Sequence, residues 1–124
     1  VVEQRDSEVG VLVEHRVFKE CAKEGFFDAR EEAYTAMVME SGFTVWGKPT
    51  LEKDPGGGFS YSVLLKESGL MIHTWPERNY SLDLVLHYCN PTRDNSDKAE
   101  KLLNLLEKHF KPAQIESAMI KSAI

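Results

Sequence analysis

The sequence of 124 residues is poor in cysteine, in basic charge and in long apolar runs. Its two cysteines, Cys21 and Cys89, are too few for a disulfide framework, and no CxxC or Cys/His spacing indicates zinc. Fifteen basic residues against twenty acidic ones give a net charge of −5, which argues against a nucleic-acid partner. No apolar run reaches the length of about 18 residues that a membrane span requires, so we expect no membrane partner.

The remaining composition predicts a single domain covering residues 1–124. Apolar residues make up 42% of the chain, which is enough for a hydrophobic core at this length. Residues 1–8 are polar and we expect them to be frayed. The N-terminal segment has no signal-peptide pattern, which predicts a cytoplasmic location. Because the chain starts at Val1 rather than at a methionine, we expect a trimmed or excised domain.

Alternating and helical patterns predict strands separated by two amphipathic helices. The predicted strands are Val9–Phe18, Phe43–Trp46, Phe59–Leu65, Leu70–Trp75, Tyr80–Cys89 and Ala113–Ile120. The predicted helices are Ala29–Ser41, capped by Asp28, and Asp97–Phe110, capped by Ser96, with a long loop at Gly47–Gly58. This order predicts an α+β two-layer sandwich, an antiparallel sheet with the two main helices on one face.

The second face of this sheet is too apolar to meet water over its whole area. It carries Met71, His73, Trp75, Val85, His87 and Cys89. An equivalent sheet from a two-fold related copy would bury it, so we expect a homodimer.

The stretch from Lys66 to Glu77 holds the most distinctive chemistry. We expect Ser68 and Gly69 at the entrance of its strand, where glycine permits an unusual backbone conformation. Ser68 and His73 have the residue types of a nucleophile and its base, although no G-x-S-x-G elbow surrounds the serine. A turn serine followed by a core histidine is the alternative, and spacing alone favours it.

Glu67-Ser68 followed by Ile72-His73-Thr74-Trp75-Pro76-Glu77 resembles the small prokaryotic-type S-adenosylmethionine decarboxylases. The similarity extends more weakly from about Val11 to about Lys121. It implies a four-layer αββα homodimer, in which the sheets of two protomers face each other. It also implies decarboxylation of S-adenosylmethionine for polyamine (spermidine) biosynthesis. The cofactor would be a pyruvoyl group made from Ser68 by self-cleavage between Glu67 and Ser68, with no metal.

The resemblance also implies roles for individual residues. Ser68 would attack the carbonyl of Glu67, Ser60 would steady the tetrahedral intermediate, and His73 would take the Cα proton during β-elimination. Cys89 would return a proton to the decarboxylated carbon. The segment between Glu77 and Cys89 departs from the usual family length, and a different gap gives this role to His87. A buried small apolar side chain is the structural alternative for Cys89.

Substrate contacts are predicted at three places. Glu14 or His15 lies near the position where the family carries an acidic residue that touches substrate. Phe59, Trp75 or Trp46 could stack on adenine or face the sulfonium cation. Glu77, which ends the motif, completes the predicted substrate-binding set.

Two other functions stay open from the sequence. Gly69 replaces a histidine that usually follows the cleaved serine, which is compatible with a homologue that no longer processes itself. Such a chain could be an inactive paralogue or the dimerisation domain of a polyamine enzyme. Alternatively, the same chemistry could act on ornithine or arginine.

Overall fold

The computed structural model describes residues 10–27, 29–89 and 95–123. Its strands are β1 (Gly10–Lys19), β2 (Thr50–Lys53), β3 (Phe59–Leu65), β4 (Ser68–Trp75), β5 (Ser81–Cys89) and β6 (Gln114–Ala123). Its α-helices are α1 (Glu24–Phe27), α2 (Glu31–Glu40) and α3 (Ser96–Phe110), and a 3₁₀ turn covers Pro76–Arg78. The strands form one antiparallel sheet in the order β2-β3-β4-β5-β1-β6, which confirms the predicted α+β fold.

One face of the sheet packs against the helices and forms the core. Helix α3 carries the apolar stripe predicted from its sequence, and five of its side chains are buried: Ala99, Leu102, Leu103, Leu106 and Phe110. Helix α2 buries Tyr34 and Val38. The sheet contributes every second residue of its strands to this core, because side chains alternate between the two faces along a strand. In β5 these are Leu82, Leu84, Leu86 and Tyr88.

The other face of the sheet, called here the open face, has no helix of the described chain on it. The strand registers place the predicted residues Met71, His73, Trp75, Val85, His87 and Cys89 together on this face. Exposed apolar side chains mark it, among them Leu64 at 61% and Met71 at 39% of full exposure. Its apolar character is therefore confirmed.

One strand prediction and one loop prediction were wrong. Phe43–Trp46 is not a strand, since Val45 makes only an isolated bridge with Leu65. The second strand is Thr50–Lys53, inside the segment predicted as a loop. It is an exposed edge strand without apolar alternation. Pairing with β3 stabilises it, including a contact of 2.9 Å between the hydroxyls of Thr50 and Ser62.

The helix starts also differ from prediction. Helix α2 begins at Glu31, with Arg30 at its N-cap and no capping bond from that side chain. Asp28, the predicted cap, and the segment predicted to be frayed lie outside the described residues. Helix α3 has Asn95 rather than Ser96 at its N-cap. The Asn95 amide instead donates to the Cys89 carbonyl over 2.6 Å, a tertiary contact that local capping rules do not contain.

Candidate active site

The peptide bond between Glu67 and Ser68 lies at the exit of a two-residue turn. Leu65 of β3 pairs with Ser68 of β4, so Lys66 and Glu67 alone join the two strands. Glu67 has a φ of 64°, in the left-handed region that a residue with a Cβ avoids. The unusual conformation was expected near Gly69, and that expectation was wrong. Gly69 is an ordinary strand residue, and a Cβ there would meet its nearest neighbour at 3.8 Å.

The Ser68 hydroxyl is buried and unpaired. Ser68 is 5% exposed and lies on the helix side of the sheet, with Leu65 and Tyr88 as its strand neighbours. Its Oγ has no hydrogen-bond partner in the described part of the chain. A buried polar atom without a hydrogen bond lowers the stability of the fold by about 1–3 kcal/mol, so the hydroxyl contributes nothing to stability here. A buried hydroxyl without a partner is compatible with a nucleophile.

The serine that pairs with His73 is Ser60, not Ser68. Ser60 Oγ lies 2.7 Å from His73 Nδ1, across neighbouring strands. His73 is five residues beyond Ser68 on the same strand, which corresponds to about 16 Å. It also points to the open face, whereas Ser68 points to the core. The predicted Ser68–His73 pair is therefore absent within one protomer. Ser68 is the first residue of β4, and His73 is half-buried on the open face.

An acidic residue that the sequence reasoning overlooked lies beside His73. Asp83 is the β5 residue opposite His73, and its Oδ1 accepts a bond of 2.9 Å from the Trp75 indole N–H. Its Oδ2 lies 3.5 Å from His15 Nε2. The available signal was the position of Asp83 in the alternation of β5, which puts it on the same face as His87 and Cys89.

The pairing of β1 with β5 places Glu14 and His15 on opposite faces of the sheet. His15 lies opposite Val85, on the open face with His73. Glu14 lies on the opposite face, where its Oε1 is 3.7 Å from the Arg16 guanidinium. Of the two, His15 shares a face with the other polar groups.

Cys89 and His87 both lie close to the Glu67–Ser68 junction. Ser68 pairs with Tyr88, so the two candidates flank its partner, and both face the open side. Burial raises the pKa of the Cys89 thiol, and the nearby Glu67 carboxylate raises it further. The thiol therefore keeps its proton at neutral pH, as a proton donor must.

The predicted aromatic and acidic substrate residues are scattered. Phe59 is only 1% exposed and stacks on Tyr34 in the core, away from the open face. Trp75 is 46% exposed, and Trp46 is 58% exposed in the segment before β2. Glu77 is exposed in the 3₁₀ turn after β4. Trp75 is the one of these that lies beside His73, with ring centroids 6.4 Å apart.

Two open grooves border these groups. One, of about 650 Å³, lies at the Trp75 end of the sheet and is lined by Val17, Lys19, Glu20, Trp75, Arg78, Asn79, Ser81 and Gln114. The other, of about 440 Å³, lies partly on the open face and includes Leu64, Gly69, Met71 and His87. Over residues 10–27, 29–89 and 95–123, no cluster of His, Cys, Asp and Glu could hold a metal ion. No helix in the same ranges is long and apolar enough to cross a membrane.

Comparisons with known proteins agree with this arrangement. The structure is similar to the crystal structure of the adenosylmethionine decarboxylase from Aquifex aeolicus VF5, with a TM-score of 0.74 at 17% identity. The match covers 94% of this chain and 92% of the other, and at this identity it shows a shared fold. None of the curated proteins is similar enough in sequence to count as a match. The family model described as S-adenosylmethionine decarboxylase matches residues 18–123, most of the sequence, and the chain therefore belongs to the S-adenosylmethionine decarboxylase family.

Proposed function

We propose that this chain is a pyruvoyl-dependent S-adenosylmethionine decarboxylase that cleaves itself between Glu67 and Ser68 and serves polyamine (spermidine) synthesis. The observation that carries this proposal is that two energetically unfavourable features flank the same peptide bond. Glu67 holds a left-handed backbone, and the hydroxyl that follows it is buried without a partner. Such features persist where the surrounding structure enforces them, and they cluster at reactive sites.

The cleavage uses only atoms of this chain and one water. Ser68 Oγ attacks the carbonyl carbon of Glu67, the C–N bond breaks, and the amide becomes an ester. A base then removes the Cα proton of Ser68. The Cβ–Oγ bond breaks, and its electrons leave with the oxygen as a new carboxylate on Glu67. The remaining dehydroalanine hydrolyses, releasing ammonia and leaving the pyruvoyl group.

The surroundings of Ser68 fit this conversion. Its Oγ makes no hydrogen bond that would have to break, and Leu65 and Tyr88 hold the residue from both neighbouring strands. The pyruvoyl group supplies the conjugated carbonyl that accepts electrons when an α-amino acid loses carbon dioxide. We assign the protonation of the resulting carbon to Cys89, which lies on the adjacent strand and retains its proton.

A homodimer explains the separation of Ser68 from its base. Within one protomer His73 is about 16 Å from Ser68 along the strand, too far to reach the Ser68 Cα. If two open faces pack about a two-fold axis that lies between the sheets and runs across the strands, the Ser68 end of one sheet meets the His73 end of the other. The Ser60–His73 pair of the partner subunit then serves each Ser68. The exposed apolar side chains of the open face support this packing.

The groups around His73 suit a cationic, aromatic substrate. The half-exposed Trp75 ring offers stacking for adenine and a π-face for a sulfonium. Asp83 adds a negative charge beside that ring. His15 lies 3.5 Å from Asp83, and Glu77 is exposed in the turn that follows Trp75. We therefore assign the substrate to the Trp75 end of the sheet, against the partner's Ser68.

Intact mass of the purified protein, with a denaturing gel, tests this function. We expect two fragments divided at Glu67 and Ser68, the second lighter by one ammonia than its sequence and therefore starting with pyruvoyl. Release of labelled carbon dioxide from carboxyl-labelled S-adenosylmethionine, compared with ornithine and arginine, then tests the substrate. An uncut chain that is active overturns the pyruvoyl mechanism. An uncut, inactive chain identifies a non-processing homologue.

A further inference from the structure

A small cavity lies directly against the proposed cleavage junction. Its volume is about 20 Å³, and its lining residues are Phe43, Thr44, Lys66, Glu67, Asn95 and Lys98. This volume holds about one water molecule. The cavity belongs neither to the open face nor to the grooves beside Trp75 and His87. The self-cleavage chemistry described above gives it no role.

The fold holds Lys98 at this cavity. Lys98 comes from the start of α3, and its aliphatic stem crosses the turn that ends α2. There it lies over Gly42, where a Cβ would be 3.4 Å from Lys98 Cγ and 3.6 Å from Cδ and Cε. Gly42 has a φ of 101°, so the turn itself also favours glycine. The packed stem limits the range of positions open to the Lys98 side chain, which lines the cavity together with Glu67.

Self-cleavage creates a charge at this place. In the uncut chain the Glu67 carbonyl belongs to a neutral peptide, and in the ester it is still neutral. When the Cβ–Oγ bond breaks, that oxygen and carbonyl become a carboxylate at the new C-terminus. A carboxylate in a space with room for one water is poorly solvated, so its formation is slow unless a cation is close.

We propose that this cavity receives the carboxylate released at Glu67, and that Lys98 is the cation that stabilises it as it forms. The inference rests on the proposed self-cleavage. It adds a role for a residue on α3, far from Ser60 and His73. The apolar wall at Phe43, which is 5% exposed, lowers the local dielectric and strengthens the attraction between the charges.

The other polar residues of the cavity are less suited to this role. Lys66 is exposed on the turn, and its backbone N–H is used in a 2.9 Å bond to the Thr44 carbonyl. The Asn95 amide donates to the Cys89 carbonyl over 2.6 Å. Lys98 is half-buried, and it lines the same cavity as Glu67 from a separate element, α3.

The test compares Lys98→Met with Lys98→Arg and with Lys101→Met, an exposed lysine on the same helix. Cleavage is followed over time on denaturing gels after refolding, with one half of each sample treated with hydroxylamine, which cuts esters. We expect Lys98→Met to slow cleavage about tenfold or more and to accumulate uncut chain that hydroxylamine cuts at Glu67. Lys98→Arg should restore most of the rate, and Lys101→Met should match the parent.

Three outcomes are decisive. Lys98→Met cleaving at the parental rate overturns this inference alone. Slow cleavage with uncut chain resistant to hydroxylamine also overturns it, since the defect then precedes the ester and reflects a disturbed junction. Circular dichroism and thermal unfolding of Lys98→Met and Lys98→Arg identify a folding defect, and in that case Lys98→Gln is measured in the same way. A parent chain that is never cleaved overturns the self-cleavage itself.

Discussion

Ser68 and His73 lie on the same strand, yet their side chains project from opposite faces of the sheet. His73 is instead bonded to Ser60 on the neighbouring strand, at 2.7 Å. The serine to be cleaved and the pair that would assist cleavage are thus separated within one protomer. The proposed face-to-face dimer would bring them together, and the co-expression experiment below tests whether it does.

Ser68→Ala should stop cleavage and decarboxylation completely, because a methyl group cannot attack the Glu67 carbonyl. The Ser68 hydroxyl has no hydrogen-bond partner among the described residues, so its removal breaks none there, and the variant should unfold at no lower a temperature than the parent. The matched control is Ser62→Ala on β3, which loses an exposed contact with Thr50 and should be cleaved normally. Gel analysis and thermal unfolding check both variants. A cut Ser68→Ala chain would remove Ser68 from the mechanism.

His73→Ala should stop at the ester, because no base remains to start elimination, and hydroxylamine should then release two fragments. Co-expression tests where the base comes from. In a heterodimer of His73→Ala with Ser68→Ala, the Ser68 of the first chain meets the intact Ser60 and His73 of the second. The His73→Ala chain should therefore be cleaved only in the mixture.

The control for that experiment is co-expression of Ser60→Ala with His73→Ala. In that heterodimer each Ser68 faces a partner that lacks either Ser60 or His73, so processing should stay slow in both chains. If the first mixture shows no rescue although mass spectrometry detects the heterodimer, His73 acts within its own protomer. The proposal that the open-face dimer brings His73 to the partner's Ser68 would then be wrong.

Much of the fold follows from local patterns in the sequence. The alternation in β3, β4 and β5 and the apolar stripe of α3 predicted their faces correctly, because burial of one side enforces these periods. Strand β2 has no such pattern, since it is an exposed edge held by pairing with β3. The helix N-cap at Asn95 was also missed.

The active site was predicted less completely than the fold. The sequence motif identified Ser68 and His73, but their opposite directions follow from strand parity: an offset of five residues reverses the face. The left-handed backbone at Glu67 had no signal, because the two-residue turn imposes it on a residue that would otherwise avoid it. The alternation of β5 put Asp83 on the face of His87 and Cys89, but only the strand register showed that it lies opposite His73.

The pKa of Cys89 offers a test of the junction before cleavage. Burial is the larger cause of its increase, and the Glu67 carboxylate is the second. In an uncut Ser68→Ala chain, alkylation of Cys89 by iodoacetamide should therefore reach half its maximal rate above the pH usual for a free cysteine. Glu67→Gln removes one of the two causes, so this midpoint should fall without returning to the ordinary value.

Site-resolved mass spectrometry separates Cys89 from Cys21 in this measurement. Cys21 is the internal control, since burial alone raises its pKa to about 11 and Glu67 is not a cause. Its reactivity should be low at neutral pH and the same in both variants. A Cys89 midpoint unaffected by Glu67→Gln would mean that the carboxylate does not act on the thiol.

The proton donor is the remaining choice between Cys89 and His87. They are two residues apart on β5, about 6–7 Å along the strand, and they share the open face. We favour Cys89 because its thiol is partly buried beside the junction and its raised pKa keeps the proton available. The exposed His87 borders a groove and is explained as a polar neighbour.

Turnover per inactivation event decides between the two. In processed enzyme, Cys89→Ala should reduce turnover about 100-fold and divert the carbanion to protonation at the wrong atom, which inactivates the enzyme by transamination. His87→Ala should change the rate modestly and leave the ratio of product to inactivation as in the parent. Cleavage of both variants is checked first on gels, so that only processed chains are compared. If His87→Ala loses turnover and raises inactivation while Cys89→Ala does neither, His87 is the proton donor, because it then controls where the proton is delivered.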